Sequence, residues 1–314
     1  MFYYDDGIIR ESNQNSGFYL TLNNGKFIYD KEYTLINLDS ELVLTYDIFR
    51  DKIFNDTARY YKKLPSLPVW LQDAGHSSDC ALGKREFEQL VRKTTDEDYF
   101  KYLYLVDCQT LISSVQDRII MSRNHLIDFY LEFCSTQLHV WNKDSVFYIS
   151  GNVTSKTFGA LYTLIITLYS SLDILTKVIY ELQNVKSVFQ NYPKLSSHDI
   201  LFKSKFPTGF DNQDTIYEDD CENIKLLINL RNEIVHNASL EDNPKVYYYE
   251  KNSKIEEKWI LLPDFENGNL MKYVNRKHFF VQEKRLNIIL PTLYSDIINR
   301  IDKTVKLINA HYSI

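Results

Sequence analysis

The chain has 314 residues, a formal net charge of −6, 44% hydrophobic residues and 25% charged residues. This composition is typical of a globular protein with one large domain or two. The acidic balance excludes a protein that coats nucleic acid over its whole surface, so any RNA contact requires a local basic patch.

The first forty residues favour strands. The stretch "GFYLTLNNGKFIYD" places Asn24-Gly25 between two aromatic runs, which is a strong signal for a β-hairpin. From Asp39 to about Lys63 the apolar spacing becomes helical. Residues 64–84 contain two prolines and two glycines, so they read as a loop. We therefore predict a small α+β region of unknown role over residues 1–90, followed by a second domain over residues 91–314.

Residues 91–314 favour helices. The spacing predicts a helix from about Thr95 to Trp141, with a break near Met121-Ser122, and a second long helix over 155–184. The stretch "EDDCENIKLLINLRNEIVHN" opens with acids and ends on asparagine, as a capped helix does. A hairpin insert over 245–263 and a last helix starting at Pro291 complete the domain. The predicted fold is mainly α, a helical bundle with a β-hairpin insert.

Targeting and cofactor signals are absent from the sequence. The start, "MFYYDDGIIRES", lacks the basic and apolar regions of a signal peptide, and the longest uncharged apolar stretch, 157–172, is too short to span a bilayer. The four cysteines form no CxxC pair, and no Walker loop or G-x-G-x-x-G is present. These patterns predict a soluble cytoplasmic protein without a membrane partner, a metal or a cofactor.

One charged residue falls on an apolar helix face. On a helical wheel of about 100° per residue, Arg231 lies within the arc formed by Leu227, Leu230 and Ile234. His236 lies about 140° from Arg231, within reach of its side chain. A buried unpaired charge costs several kcal/mol, so Arg231 must meet an anion, a polar cleft or a subunit boundary.

The helix over 155–184 offers a partner for Arg231. It is apolar nearly all round, and its polar exceptions fall within one arc. They are Thr163, Thr167, Ser170, Asp173, Lys177 and Glu181. A polar seam on a buried helix requires partners, so we expect Arg231 to face Asp173, with Glu181 as the second choice. The same pattern also fits a purely structural ion pair with a histidine that favours a helix C-terminus.

The motif "RNEIVH" resembles the signature of the HEPN superfamily, in which Arg is followed by four to six residues and His, commonly with Asn, Asp or His directly after the Arg. Arg231, Asn232 and His236 match it. The resemblance implies a bundle of four or five helices with the motif on the helix before the last. Some members carry an additional acidic residue on an upstream helix, and Asp173 lies at a comparable position. In members paired with a nucleotidyltransferase antitoxin a Tyr follows two residues after the His, whereas this chain has Ala238.

The resemblance implies a metal-independent endoribonuclease that works as a homodimer, in a toxin or antiphage defence role, with RNA and an antitoxin protein as partners. His236 is expected to act as base or acid, since imidazole titrates near neutral pH. Arg231 is expected to bind phosphate oxygens, Asn232 to orient the phosphate or the imidazole, and Asp173 to hold the guanidinium. The products should be 2′,3′-cyclic phosphates.

Two other functions fit the same residues. One is a non-catalytic HEPN module that binds a nucleotide or a protein partner through the same cleft. The other is an interaction protein in which Arg231 only fixes a dimer interface. An enzyme requires His236 to be reachable from solvent beside Arg231, whereas a structural role would bury both residues or separate them.

Overall fold

Helices form most of the protein, as the sequence predicts. The computed structural model describes residues 1–13, 17–23, 26–29, 33–68, 83–204, 209–237, 240–241 and 243–313. In this part of the chain there are seven α-helices. They are α1 (Tyr33–Phe54), α2 (Thr57–Lys63), α3 (Lys84–Lys93), α4 (Glu97–Ser135), α5 (Ser155–Gln183), α6 (Glu222–His236) and α7 (Leu286–Tyr312).

The described strands form small antiparallel sheets. They are β1 (Phe2–Tyr4), β2 (Ile9–Arg10), β3 (Tyr19–Asn23), β4 (Lys26–Tyr29), β5 (Ser145–Ser150), β6 (Lys245–Lys251), β7 (Lys254–Trp259), β8 (Phe265–Glu266), β9 (Asn269–Leu270), β10 (Lys272–Tyr273) and β11 (Lys277–His278). The N-terminal sheet has the order β2-β1-β3-β4, and β3 pairs with β4 as the hairpin signal predicts, with Asn23 opposite Lys26. The turn residues Asn24-Gly25 lie outside the described residues.

The predicted hairpin insert is part of a larger sheet. Strands β6 and β7 form the hairpin, and β5 pairs with the other edge of β6, which gives a three-stranded sheet of order β5-β6-β7. Strand β5, which precedes α5 in the chain, therefore belongs to the same sheet as the insert. Sequence patterns did not predict this pairing, because the partner strands are about a hundred residues apart and strand pairing is set by long-range contacts.

Helix α4 differs from its prediction at two places. It continues through Met121 and Ser122, where the Ser122 hydroxyl is buried and donates to the Ile119 carbonyl at 2.8 Å. A serine that bonds back to its own helix does not have to interrupt it. The helix ends at Ser135 rather than near Trp141, and the Lys258 ammonium donates to the Cys134 carbonyl at 2.7 Å. A cation at the last carbonyls stabilises this end.

The last helix begins at Leu286 and contains Pro291 in its interior, so the predicted start at Pro291 is wrong. A proline inside a helix leaves the carbonyl four residues earlier without its N–H partner. That carbonyl belongs to Asn287, and it accepts a hydrogen bond of 2.6 Å from the Tyr130 hydroxyl. The buried tyrosine therefore replaces the missing donor, and the helix continues through the proline.

The chain divides into two compact units, each made of three segments. Unit 1 consists of Met1–Ile36, Ile119–Tyr169 and Asp214–Ile301, and unit 2 consists of Asn37–Arg118, Ser170–Gln213 and Asp302–Ile314. Unit 1 contains the sheets and α6, whereas unit 2 contains α2, α3 and parts of longer helices. The predicted division of the chain at residue 90 stays a prediction.

Helix α5 is the most apolar element. By length and composition the whole helix could cross a membrane, with a mean hydropathy of 1.5 over its most apolar window. The uncharged stretch 157–172 within it is too short to do so alone. Fifty-six per cent of that window is buried inside the protein. Core helices of soluble proteins share this property, so the observation is weak evidence for a membrane span and is consistent with the soluble protein that the sequence predicts.

Candidate functional site on helix α6

Helix α6 is held in unit 1 by its leucines. Of the apolar arc expected from the wheel, Leu227 and Leu230 are fully buried and Ile234 is half-buried. The acidic Glu222 lies in the first turn, where its charge suits the helix dipole, and His236 lies in the last turn. Asn237 caps the C-terminal end. The packing of the leucines fixes the rotation of the helix, and this rotation decides where the polar residues point.

The structure brings the three motif residues together. Nη1 of Arg231 lies 3.1 Å from Nε2 of His236, and the same Nη1 donates to Oδ1 of Asn232 at 3.1 Å. Arg231 and Asn232 are half-buried, whereas His236 is exposed. The imidazole is therefore reachable from solvent beside the guanidinium, which is the arrangement that an enzyme of this kind requires.

The contact between Arg231 and His236 can be a hydrogen bond in one tautomer of the imidazole. Guanidinium nitrogens can only donate, so Nε2 of His236 would be the acceptor. This requires a ring with its proton on Nδ1. A neutral imidazole with Nε2 as an acceptor can take a proton from a hydroxyl group.

Tyr169, at the middle of α5, supports the guanidinium. The Arg231 carbon Cζ lies 5.1 Å from the centre of the Tyr169 ring, within the range of a cation–π interaction. Within unit 1, no described carboxylate forms an ion pair with Arg231, and no described residue accepts a hydrogen bond from its Nε or Nη2. A guanidinium that lies on an aromatic ring, with no described carboxylate of unit 1 paired to it, is suited to bind a phosphate group.

The acidic residues predicted as partners both lie in unit 2. Oδ1 of Asp173 accepts a hydrogen bond of 2.7 Å from the backbone N–H of Phe202. Glu181 is fully buried, and its carboxylate accepts from the Tyr104 hydroxyl and from the backbone N–H of Ser197, both at 2.7 Å. These contacts give Asp173 and Glu181 clear roles inside unit 2. The predicted pairing of Arg231 with Asp173 stays a prediction.

A second charged cluster lies on the same helix, around Glu233. This carboxylate is only 1% exposed and forms an ion pair with the Lys272 ammonium. Nε2 of His278 lies 3.2 Å from its Oε2, and the Asn237 side chain donates to the same oxygen at 3.0 Å. Burial lowers the pKa of Lys272. Since β10 and β11 carry Lys272 and His278, the cluster fastens α6 to this hairpin.

Sequence analysis missed Tyr169 and the Glu233 cluster for different reasons. An aromatic residue on an apolar helix is indistinguishable from an ordinary core residue, so Tyr169 gave no signal. Glu233 gave none either, because it lies about 200° from Arg231 on the wheel and outside the arc of Leu227, Leu230 and Ile234, where an acidic residue is expected to be exposed. Its partners Lys272 and His278 are too far along the chain for any local pattern to connect them.

The site offers an anion-binding group and a titratable group. In the part of the chain that the structure describes, no group of three or more His, Cys, Asp or Glu side chains could hold a metal ion. The guanidinium of Arg231, the amide of Asn232 and the imidazole of His236 lie together. These groups suit a phosphate and a hydroxyl group as ligands.

Comparisons with family models, with curated proteins and with solved structures gave no match.

Proposed function

We propose that the protein is a metal-independent endoribonuclease of the HEPN type. The observation that carries this proposal is the 3.1 Å contact between Nη1 of Arg231 and Nε2 of His236, with the imidazole exposed. A phosphate binder and a proton acceptor are thus within one hydrogen bond of each other. A phosphodiester followed by a ribose 2′-hydroxyl presents the two groups that such a pair would bind.

The reaction starts when the RNA 2′-hydroxyl takes the place of the guanidinium as donor to Nε2 of His236. The imidazole accepts the proton while the 2′-oxygen attacks phosphorus. Arg231 is released to donate from two nitrogens to the phosphate oxygens, where it stabilises the added negative charge. Asn232, which already contacts the guanidinium, holds it in this orientation.

The bond from phosphorus to the 5′-oxygen then breaks. The leaving oxygen takes up a proton from a general acid, and the products are a 2′,3′-cyclic phosphate and a 5′-hydroxyl end. In a homodimer that brings two α6 helices together, the imidazole of the second copy is suited to this acid step. Two facing copies would also double the positive charge at the site, which an acidic chain needs in order to attract RNA.

The test is cleavage of single-stranded RNA by the purified protein in the presence of EDTA. General acid–base catalysis contributes about 10²–10⁴-fold to rate, so His236→Ala should lose at least about 100-fold in rate with an unchanged melting temperature. The matched control is His198→Ala, which removes a largely exposed imidazole from unit 2 and should cleave like the wild type. Expression of the wild type should slow bacterial growth, and His236→Ala should relieve this.

Two results would contradict the proposal. Either His236→Ala cleaves as fast as the wild type, or cleavage appears only with an added divalent metal. Binding of RNA or nucleotide without cleavage would instead identify a non-catalytic module at the same residues. Light scattering at micromolar concentration tests the dimer separately, since a strict monomer would remove the second imidazole from the mechanism.

A further inference from the structure

Unit 2 contains a cavity of about 410 Å³, which is within the size range of small-molecule sites. It lies between the end of α1, the second turn of α4 and the segment that follows α5. Three lysines line it: Lys52, Lys101 and Lys186. Three neutral polar side chains also line it: Asn55, Gln183 and Ser187. The described lining residues include no carboxylate, so this lysine cavity is a positively charged space.

The three ammonium groups have little negative charge beside them. Lys52 lies over the Tyr312 ring at 4.4 Å, and burial lowers its pKa. Lys186 donates to the Ser196 hydroxyl, which is a neutral partner.

Lys101 is 8% exposed and forms an ion pair of 3.6 Å with the half-exposed Glu97. Lys52 and Lys186 are half-buried. One carboxylate beside three ammonium groups leaves net positive charge at the cavity, which favours a ligand that supplies negative charge.

Helix dipoles account for only part of this arrangement. Lys52 lies in the last turn of α1 and Lys186 follows the end of α5, so each is near a helix C-terminus with roughly half a negative charge. Lys101 lies near the start of α4, where the dipole disfavours a cation. The two helix ends and the half-exposed carboxylate of Glu97 do not fully neutralise three ammonium groups.

We propose that the lysine cavity binds a small phosphorylated molecule. Ammonium groups act as point charges toward phosphate oxygens, and three of them around one space suit a ligand with two or more negative charges. The amides of Asn55 and Gln183 and the Ser187 hydroxyl can donate hydrogen bonds to the same oxygens. The Phe189 ring lines the cavity and lies 5.6 Å from the Lys101 ammonium, so an apolar part of the ligand has a surface to contact.

Isothermal titration of the full chain with inorganic tripolyphosphate at low salt tests this site. The wild type should bind with a Kd below about 1 mM. Lys52→Gln and Lys186→Gln should each weaken binding by about tenfold or more, since each removes a charged hydrogen-bond donor. The matched control is Lys84→Gln, which makes the same charge change at a side chain that is 89% exposed and should leave binding unchanged. Melting temperatures of all variants verify that they fold.

Three results would overturn the proposal: no binding by the wild type, equal weakening by Lys84→Gln, or binding of citrate as tight as that of tripolyphosphate. The last would show an anion site without preference for phosphate. The titration contains no RNA and no step at His236, so its outcome is independent of the cleavage experiment.

Discussion

On one side of α6 the Glu233 carboxylate is 1% exposed and is surrounded by Lys272, His278 and Asn237. On another side Arg231 is half-buried against Tyr169, and its neighbour His236 is exposed. The first cluster neutralises its charge within the protein. The second leaves a half-buried guanidinium and an exposed imidazole without an ion pair to any described carboxylate of unit 1. Charge on one side of the helix is therefore neutralised inside the protein, whereas charge on the other side stays accessible to solvent.

The difference follows from the cost of desolvation. A fully buried charge without a partner costs several kcal/mol, so the fold must supply that partner itself. A partly exposed cation stays hydrated, so it does not require an anion from the protein and can bind one from solution. By this criterion Glu233 is structural, whereas Arg231 and His236 are available to a ligand. The lysine cavity of unit 2 combines both kinds, because Lys101 is buried beside Glu97 whereas Lys52 and Lys186 are half-buried.

The largest expected effect on stability is at Glu233. Glu233→Gln keeps the shape of the side chain but leaves Lys272 and His278 without an anion. Removing one partner of a buried pair costs about 3–5 kcal/mol, so the free energy of unfolding in urea should fall by about 3 kcal/mol. The control is Glu222→Gln at the exposed start of the same helix, which should change stability by less than about 1 kcal/mol. Equal effects of the two substitutions would mean that the cluster is not a structural anchor.

A smaller effect is expected at Tyr169, which acts through Arg231. Tyr169→Leu removes the ring under the guanidinium, and a cation–π interaction is worth about 0.5–2 kcal/mol. The proposed RNA cleavage should therefore slow by roughly tenfold, whereas Tyr169→Phe, which keeps the ring, should retain most of the rate. If both variants lose activity equally, the hydroxyl rather than the ring supports the site, and the comparison between the two sides of α6 has to be redrawn.

The smallest effect concerns two carboxylates in unit 2 whose pKa values are shifted in opposite directions. The Lys63 ammonium lowers the pKa of Asp96, so its stabilisation is present above the ordinary Asp pKa of about 3.9 and is lost as pH falls through the folded value. Burial raises the pKa of Asp107, which the Tyr192 hydroxyl only partly offsets. Its contribution to stability is therefore present at low pH and is lost as pH rises through the folded value.

Substitution of each aspartate by asparagine tests these opposite dependences of stability on pH. Relative to the wild type, Asp96→Asn should become less stable as pH rises through the acidic range up to about 4. Asp107→Asn should instead become more stable than the wild type as pH rises above about 4. Urea unfolding at several pH values measures both trends. Asp96→Asn keeps an oxygen that can accept from the backbone N–H of Asp98, as Asp96 does at 3.0 Å. Parallel trends in the two variants would show that neither carboxylate is perturbed as its surroundings indicate.

The sequence by itself predicted the elements whose signals are local. The apolar periodicity identified the long helices and the motif helix, and the Asn24-Gly25 signal identified the pairing of β3 with β4. The wheel also put His236 within reach of Arg231, since residues five apart on one helix have a nearly fixed relation. These patterns extend over ten to twenty residues, so they do not require knowledge of the tertiary structure.

Only the tertiary structure decided how charges and backbone groups are satisfied. The helix through Pro291 depends on the Tyr130 hydroxyl, and the burial of Glu233 depends on Lys272 and His278, which follow it by about forty residues. The lysine cavity likewise draws on three separate segments of the chain. Each case depends on groups that meet only when distant segments pack together, because a buried polar group must find its partner wherever the fold brings one near.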